Sequence, residues 1–252
     1  MKTTGLITRR RAIVTGLAAV GGLVVARYPK SLPPTYGNLL RMGDTLTYAA
    51  HRVLLPGESL VREYTRSDIT SFPATGTVNP GVSVKSELGQ AYRRMHAGSF
   101  ADWSLSVEGR VARPRSFSLA DLKQLAQRTQ ITRHTCEEGW TAIGQWTGVP
   151  LSLVLDAAGI LPTARFVVFH TFDNWIDSID MLDALHPQTI LAYAMNGADL
   201  PIQHGAPVRL RVERQLGYKS MKYLRRIIIS DEFDDGGKSG NIQNGWAWYT
   251  GI

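Results

Sequence analysis

Cys136 is the only thiol in a chain of 252 residues, so it is inert core, an intermolecular link or a chemical group. Its setting, Ile131-Thr132-Arg133-His134-Thr135-Cys136-Glu137-Glu138-Gly139-Trp140, favours chemistry. Sulfur ligates metals and attacks electrophiles as thiolate, and Arg133 and His134 set positive or protonatable groups beside it. The competing reading is packing, because free cysteine is among the most buried residue types. Two later segments suit an anion. In Gln203-His204-Gly205-Ala206-Pro207-Val208-Arg209-Leu210, glycine and proline fix an irregular backbone, and His204 and Arg209 can donate from its two ends. In Leu216-Gly217-Tyr218-Lys219-Ser220-Met221-Lys222, backbone amides, a hydroxyl and two ammonium groups form the donor set a phosphate ester needs. A strand-entry turn with a solvated Arg209, and an ordinary basic hairpin loop, are the plain alternatives. Asp173, Asp177, Asp180 and Asp183 read as capping, solvated acids around a turn and a short helix. Trp246 and Trp248 either clamp the C-terminal tail to the core or stand at a substrate mouth. No Walker pattern, GxGxxG, HExxH or paired CxxC occurs, which removes the usual nucleotide, zincin and zinc-ribbon readings.

The elements that must position these residues are short. Trp103 to Val107 alternates as a strand, Glu108-Gly109 turns, and Ser118 with Asp121 opens a capped helix reaching about Gln127. Gln130 to Thr135 extends as a strand that delivers Cys136 to a loop. Pro150 starts a helix whose Leu151, Val154, Leu155 and Ala158 share a face and which stops at Gly159. Phe166 to Phe169 is a buried strand, and Asn196-Gly197 is a hairpin turn. Val208, Leu210 and Val212 alternate along a half-buried strand, and Ile227 to Ile229 form a last, fully buried one. The sum is an α+β fold with mixed sheets and short helices.

Ahead of that domain, Lys2, Arg9, Arg10 and Arg11 precede the uncharged apolar run Ala12–Ala26, which has the length of a signal-peptide core. Paired arginines before a weakly hydrophobic, Gly-rich and Ala-rich run are the pattern of twin-arginine export of folded protein to the periplasm. An uncleaved N-terminal membrane anchor is the alternative. The organisation expected is an export segment over residues 1–26, an extended arm over 27–99 and the main domain over 100–252. Without the first segment, 24 basic residues face 21 acidic ones, a formal charge of +3 instead of +7. The remaining charges interleave, so no nucleic acid is expected as a partner.

In chain order, RHTCEEGW, QWTGVPLSLVLDAAG, FVVFHTFD, YAMNGADLPIQHGAPVRL and GYKSMK together resemble the molybdopterin-binding domain of the sulfite oxidase family, from about Asp102 onward. The likeness is greatest to its exported bacterial branch, typified by protein-methionine-sulfoxide reduction. The resemblance implies that Cys136 is the protein thiolate on a molybdenum held by molybdopterin. It implies that Thr171, His204 and Arg209 touch the pterin, that Lys219, Ser220, Met221 and Lys222 cradle its phosphate, and that Asn79 corresponds to an upstream cofactor contact. Arg133 and His134 would steer substrate or tune the thiolate. The expected activity is two-electron oxygen-atom transfer, reducing a sulfoxide or similar oxo-substrate, with a membrane b-type cytochrome as electron partner. A sulfite-oxidising enzyme, or a protein that only binds molybdopterin or a phosphorylated ligand, is the rival. Glu137-Glu138-Gly139-Trp140 departs from both the Cys-x-Gly-Asn-Arg-Arg-like run of the sulfite enzymes and the Val-Glu-Ala-Trp of the sulfoxide branch, so substrate identity does not transfer. With 23 residues after Ile229 in this sequence, dimerisation through the immunoglobulin-like domain of the sulfite oxidases proper is not expected.

Overall fold

The structure, a computed structural model, describes residues 39–55, 57, 59–234, 236–242 and 244–252. The export segment expected over 1–26 lies outside them. The arm expected to be extended is helical in part: α1 spans Leu39–Leu54, α2 Pro80–Ser83 and α3 Glu87–Ala97. Its many Pro, Gly and Ser residues punctuate these helices rather than preventing them. Tyr92 of α3 is fully buried in the main core and donates to the carbonyl of Ala206 at 2.7 Å.

Two five-stranded sheets follow. The first takes β1 (Ser104–Gly109), β2 (Arg115–Ser118), β5 (Phe166–Thr171), β6 (Ile176–Asp180) and β10 (Leu224–Ser230) in the order β2-β1-β10-β5-β6. Its β1–β10 pairing is parallel and the others are antiparallel. The second takes β3 (Arg128–Thr135), β4 (Thr141–Pro150), β7 (Ile190–Met195) and β8 (Ala198–Asp199) in that order, with β9 (Arg209–Arg211) paired to β7. One hydrophobic core runs between the sheets through Leu105, Val107, Val149, Phe169, Leu191 and Ile227. Each such aliphatic or aromatic side chain contributes roughly 1.5–3 kcal/mol on burial.

Local signals explain the joints. Ser118 caps α4 (Leu119–Gln124) by accepting the Asp121 amide while Asp121 accepts from Ser118 in return. Helix α5 (Leu151–Ala158) buries Leu151, Val154, Leu155 and Ala158 and ends at Gly159 with φ +72°. Asn196 and Gly197 both take positive φ, 52° and 84°, and close the β7–β8 hairpin. Gly148 sits at an irregularity between β4 and β7, where a Cβ would lie 2.2 Å from the Leu191 carbonyl oxygen.

Three expectations need correction. The strand of Val208, Leu210 and Val212 is not half-exposed, because the intervening Arg209 and Arg211 are buried as well. Conversely, β10 alternates, with Ile227 and Ile229 buried and Ile228 only half-buried. The acids after β5 are not solvated. Asp180 does cap α6 (Met181–Ala184), yet Asp177, Asp180 and Asp183 are buried and ion-paired to Lys219 and Arg52.

Candidate active site

The β3–β4 hairpin closes through Cys136, whose amide donates to the Trp140 carbonyl at 2.9 Å and whose carbonyl accepts from Gly139 at 3.1 Å. Gly139 takes φ +90°, which a residue with a Cβ adopts only with strain. The turn places Cys136 in the wall of a cavity of about 300 Å³. The cysteine is 4% exposed, and its thiol lies 3.5 Å from a Glu137 carboxylate oxygen. Burial pushes the thiol up to about 11, and the Glu137 charge adds to the effect. At neutral pH this sulfur stays protonated and is a poor nucleophile, so its use as thiolate calls for a metal to displace the proton.

Opposite stands a cationic wall. Arg209 is buried with its guanidinium on the carbonyls of His204 (2.9 Å) and Ser220 (2.7 Å), and burial, then neighbouring Arg211, lower it to about 9. Arg211 is neutralised at 2.6 Å by Glu213 and also donates to His134 Nδ1 at 2.8 Å. Both guanidiniums stand over the Trp146 ring, Arg209 at 5.1 Å and Arg211 at 4.5 Å from its centre. Lys222 donates to the carbonyls of Thr75 (2.8 Å), Gln203 (3.2 Å) and Thr77, and burial lowers it to about 8. Among the described residues neither Arg209 nor Lys222 has a carboxylate within ion-pair distance.

Of the residues singled out in the sequence, Cys136, His134, Thr171, His204, Arg209, Ser220, Met221 and Lys222 all line this cavity. Arg133 does not, because it is exposed on the opposite face of β3 from His134. His134 is held neutral, its pKa driven down to about 2 by burial and by the arginines, so it puts no positive charge beside the thiol. Lys219 lies behind the wall, 2.7 Å from Asp177 and 2.8 Å from the Ser178 carbonyl, and offers nothing to a phosphate. Asn79 caps α2 through the Gly81 amide and is absent from the lining. The two C-terminal tryptophans divide the roles proposed for them: Trp248 packs against Tyr48, Phe166 and Tyr249, whereas Trp246 lines the cavity beside Tyr218.

The sequence reading missed the roof, formed by Phe72, Thr75 and Thr77 of the arm, and the half-cavity wall of Asp173 and Trp175. Burial raises Asp173, which accepts a hydrogen bond from Thr171. The sequence reading counts Asp173 among the solvated capping acids, whereas it lines the cavity.

The donor set defines what can fill the space. One sulfur faces a buried guanidinium and an ammonium that lack carboxylate partners, a fit to an anionic cofactor carrying a soft metal. Among the described residues no group of three or more His, Cys, Asp or Glu side chains is placed to hold an ion.

Residues 93–237 match the model of the oxidoreductase molybdopterin binding domain. The chain belongs to this family of molybdopterin-binding domains. A family member from Azospira oryzae, named as a candidate protein-methionine-sulfoxide reductase subunit YedZ1, is 38% identical over 159 residues, covering 63% of this chain and 58% of that one. The protein-methionine-sulfoxide reductase catalytic subunit MsrP of Xanthomonas campestris is 36% identical over 149 residues, 53% of this chain and 46% of the relative. This chain thus spans about half the length of the curated relatives it matches. Among solved structures, the sulfane dehydrogenase SoxCD of Paracoccus pantotrophus aligns with a TM-score of 0.50 at 27% identity, over 52% of this chain and 39% of that one. The α+β fold expected from the sequence is the fold of this molybdopterin-binding family.

Proposed function

We propose that this chain is a molybdenum oxidoreductase that reduces a sulfoxide to a thioether and water, consuming two electrons and two protons. The observation that carries the reading is the convergence on one cavity of Cys136 from the β3–β4 turn, Thr171 from the end of β5, Arg209 from the start of β9, and His204 and Lys222 from the loops on either side of it. The names of the Azospira and Xanthomonas relatives support the sulfoxide as substrate class.

Cys136 would ligate the metal, and Arg209, Lys222, His204, Thr171 and the Ser220-Met221 backbone would hold the anionic pterin. When bound, the cofactor supplies the two-electron oxygen-atom chemistry, and the chain supplies orientation and electrostatics. Arg209 and Lys222 gain in the bound state the counter-charge they otherwise lack. His134 keeps Nδ1 as an acceptor from Arg211, which fixes the ring against Phe72 and Trp140. Those aromatic rings and Trp175 line the cavity with Cys136 and supply its apolar wall. Burial raises the Asp173 carboxyl above its ordinary value, against the hydrogen bond from Thr171 and the charge of Lys222.

The paired arginines before Ala12–Ala26 support periplasmic export by the twin-arginine route, and a membrane b-type cytochrome is the partner we assign for electrons. SoxCD is named as a dehydrogenase, so oxidation of a reduced sulfur compound such as sulfite is the second reading. Holoprotein from molybdenum-replete cells, assayed with reduced dye, should reduce methionine sulfoxide. Turnover only in the oxidative direction with sulfite would overturn the assignment.

A further inference from the structure

Helix α1 is oriented against the usual rule for a helix on a protein surface. Its inward face is Tyr48, Ala49 and Arg52, and it is anchored hard. Arg52 reaches Asp180 at 2.9 Å and Asp183 at 3.0 Å, and Tyr48 donates to Asp180 at 2.7 Å. Its outward face is apolar. Leu46 is 57% exposed, Val53 44% and Leu54 69%, with the half-buried Ala50 between them. Positions 46, 50, 53 and 54 follow the spacing of a single helical stripe. Leu55, 36% exposed, follows directly at the helix end. A contiguous apolar surface of this kind marks an interaction site.

We infer that this stripe docks on a lipid bilayer, with α1 lying in the membrane interface. Three observations select lipid as the occupant. The uncharged run Ala12–Ala26 ends at residue 26, and the 12 residues from 27 to 38 lead directly into α1. That linker reaches at most about 40 Å, so a bilayer that receives the apolar run lies within reach of the helix. From residue 27 to 63 the sequence carries five basic residues, Arg27, Lys30, Arg41, Arg52 and Arg62, against three acidic ones, Asp44, Glu58 and Glu63, a small excess that suits anionic headgroups. Among the described residues no helix is long and apolar enough to cross a membrane, which leaves α1 to lie on the surface rather than span it.

The docked face sits one layer from the cavity. Tyr249 packs on Tyr48 at 5.1 Å, and the tail it belongs to carries Trp246 into the cavity wall beside Tyr218. Resting on the function proposed above, this brings the site to the side where a membrane electron donor stands; the docking itself is independent of the reaction.

The test uses the full chain with Val20→Asp, which disables the apolar run as an anchor, and measures co-sedimentation with phosphatidylcholine vesicles with and without phosphatidylglycerol. The Val20→Asp protein should still bind, more tightly to the anionic vesicles. Adding Leu46→Gln, Val53→Gln and Leu54→Gln should weaken partitioning by about tenfold or more with an unchanged circular-dichroism melt. Leu54→Gln alone, at the helix end, should give a partial loss, and it decides the matter should the triple variant melt early. Equal binding with and without these substitutions, or no binding of the Val20→Asp protein at any lipid concentration, would overturn the inference. So would a Val20→Asp dimer that the three glutamines dissociate, or binding confined to vesicles carrying a membrane protein.

Discussion

At Cys136 the decisive quantity is the proton. A thiol pushed to about 11 has a very small thiolate fraction at neutral pH, which separates a metal ligand from a nucleophile. Cofactor-free protein should therefore react with iodoacetamide at pH 7.5 at least about tenfold more slowly than an exposed cysteine. Glu137→Gln, which removes the adjacent charge, should speed the reaction. Rapid labelling of the wild type would contradict the account. The residues that carry this site were legible as types in order: one cysteine after a strand, a histidine and an arginine around Gly-Ala-Pro, a serine and a lysine near the end of the chain. What was not legible was direction. Arg133 and His134 are neighbours in sequence, yet strand alternation sends the first to solvent and the second into the cavity. Lys219 and Lys222 likewise look equivalent as charges, but one meets the carboxylate of Asp177 and the other the cavity.

Between elements, close approach does the positioning. Gly217 lets the turn before Lys219 pass against the β3 strand, and a Cβ there would stand 2.3 Å from His134 Nε2. Gly217→Ala should displace His134, cost roughly 1–3 kcal/mol and reduce cofactor content, read as the urea midpoint and the pterin-to-protein ratio. An unchanged cofactor load would show that His134 is not part of the wall. Beneath the site, Arg211 and Glu213 are each 1% exposed and hold β9 in place under His134. Glu213→Ala should destabilise the fold by roughly 3–5 kcal/mol, because it leaves a buried guanidinium without its partner. Capping signals and alternation gave the helices after Ser118 and Pro150 and five of the ten strands, while the long β4 was not read. The helices of the arm escaped because Pro, Gly and Ser mark turns without saying how long the segments between them are. The buried faces of β9 escaped because arginine reads as a solvent residue unless a pairing acid is known.

Across the whole molecule, the cavity is an assembly of long-range parts, and its charge state reports on folding. Burial lowers His204 to about 4 from an ordinary value of 6.5. Between those values the unfolded chain holds a proton that the folded chain does not, so this histidine makes stability fall as pH drops from 6.5 toward 4. In cofactor-free protein, His204→Gln should flatten that part of the denaturant-midpoint profile. A profile as steep as the wild type would place His204 outside the buried wall. The family assignment rests on the same assembly, since the match over residues 93–237 spans every strand and most of the cavity. The most direct test of the central claim is metal and pterin analysis of the protein purified from molybdenum-replete cells, side by side with Cys136→Ser. The account predicts one molybdenum per chain in the wild type, and in the variant loss of the metal with the pterin retained. A wild type free of molybdenum, or a serine variant that keeps its full metal content, would contradict it.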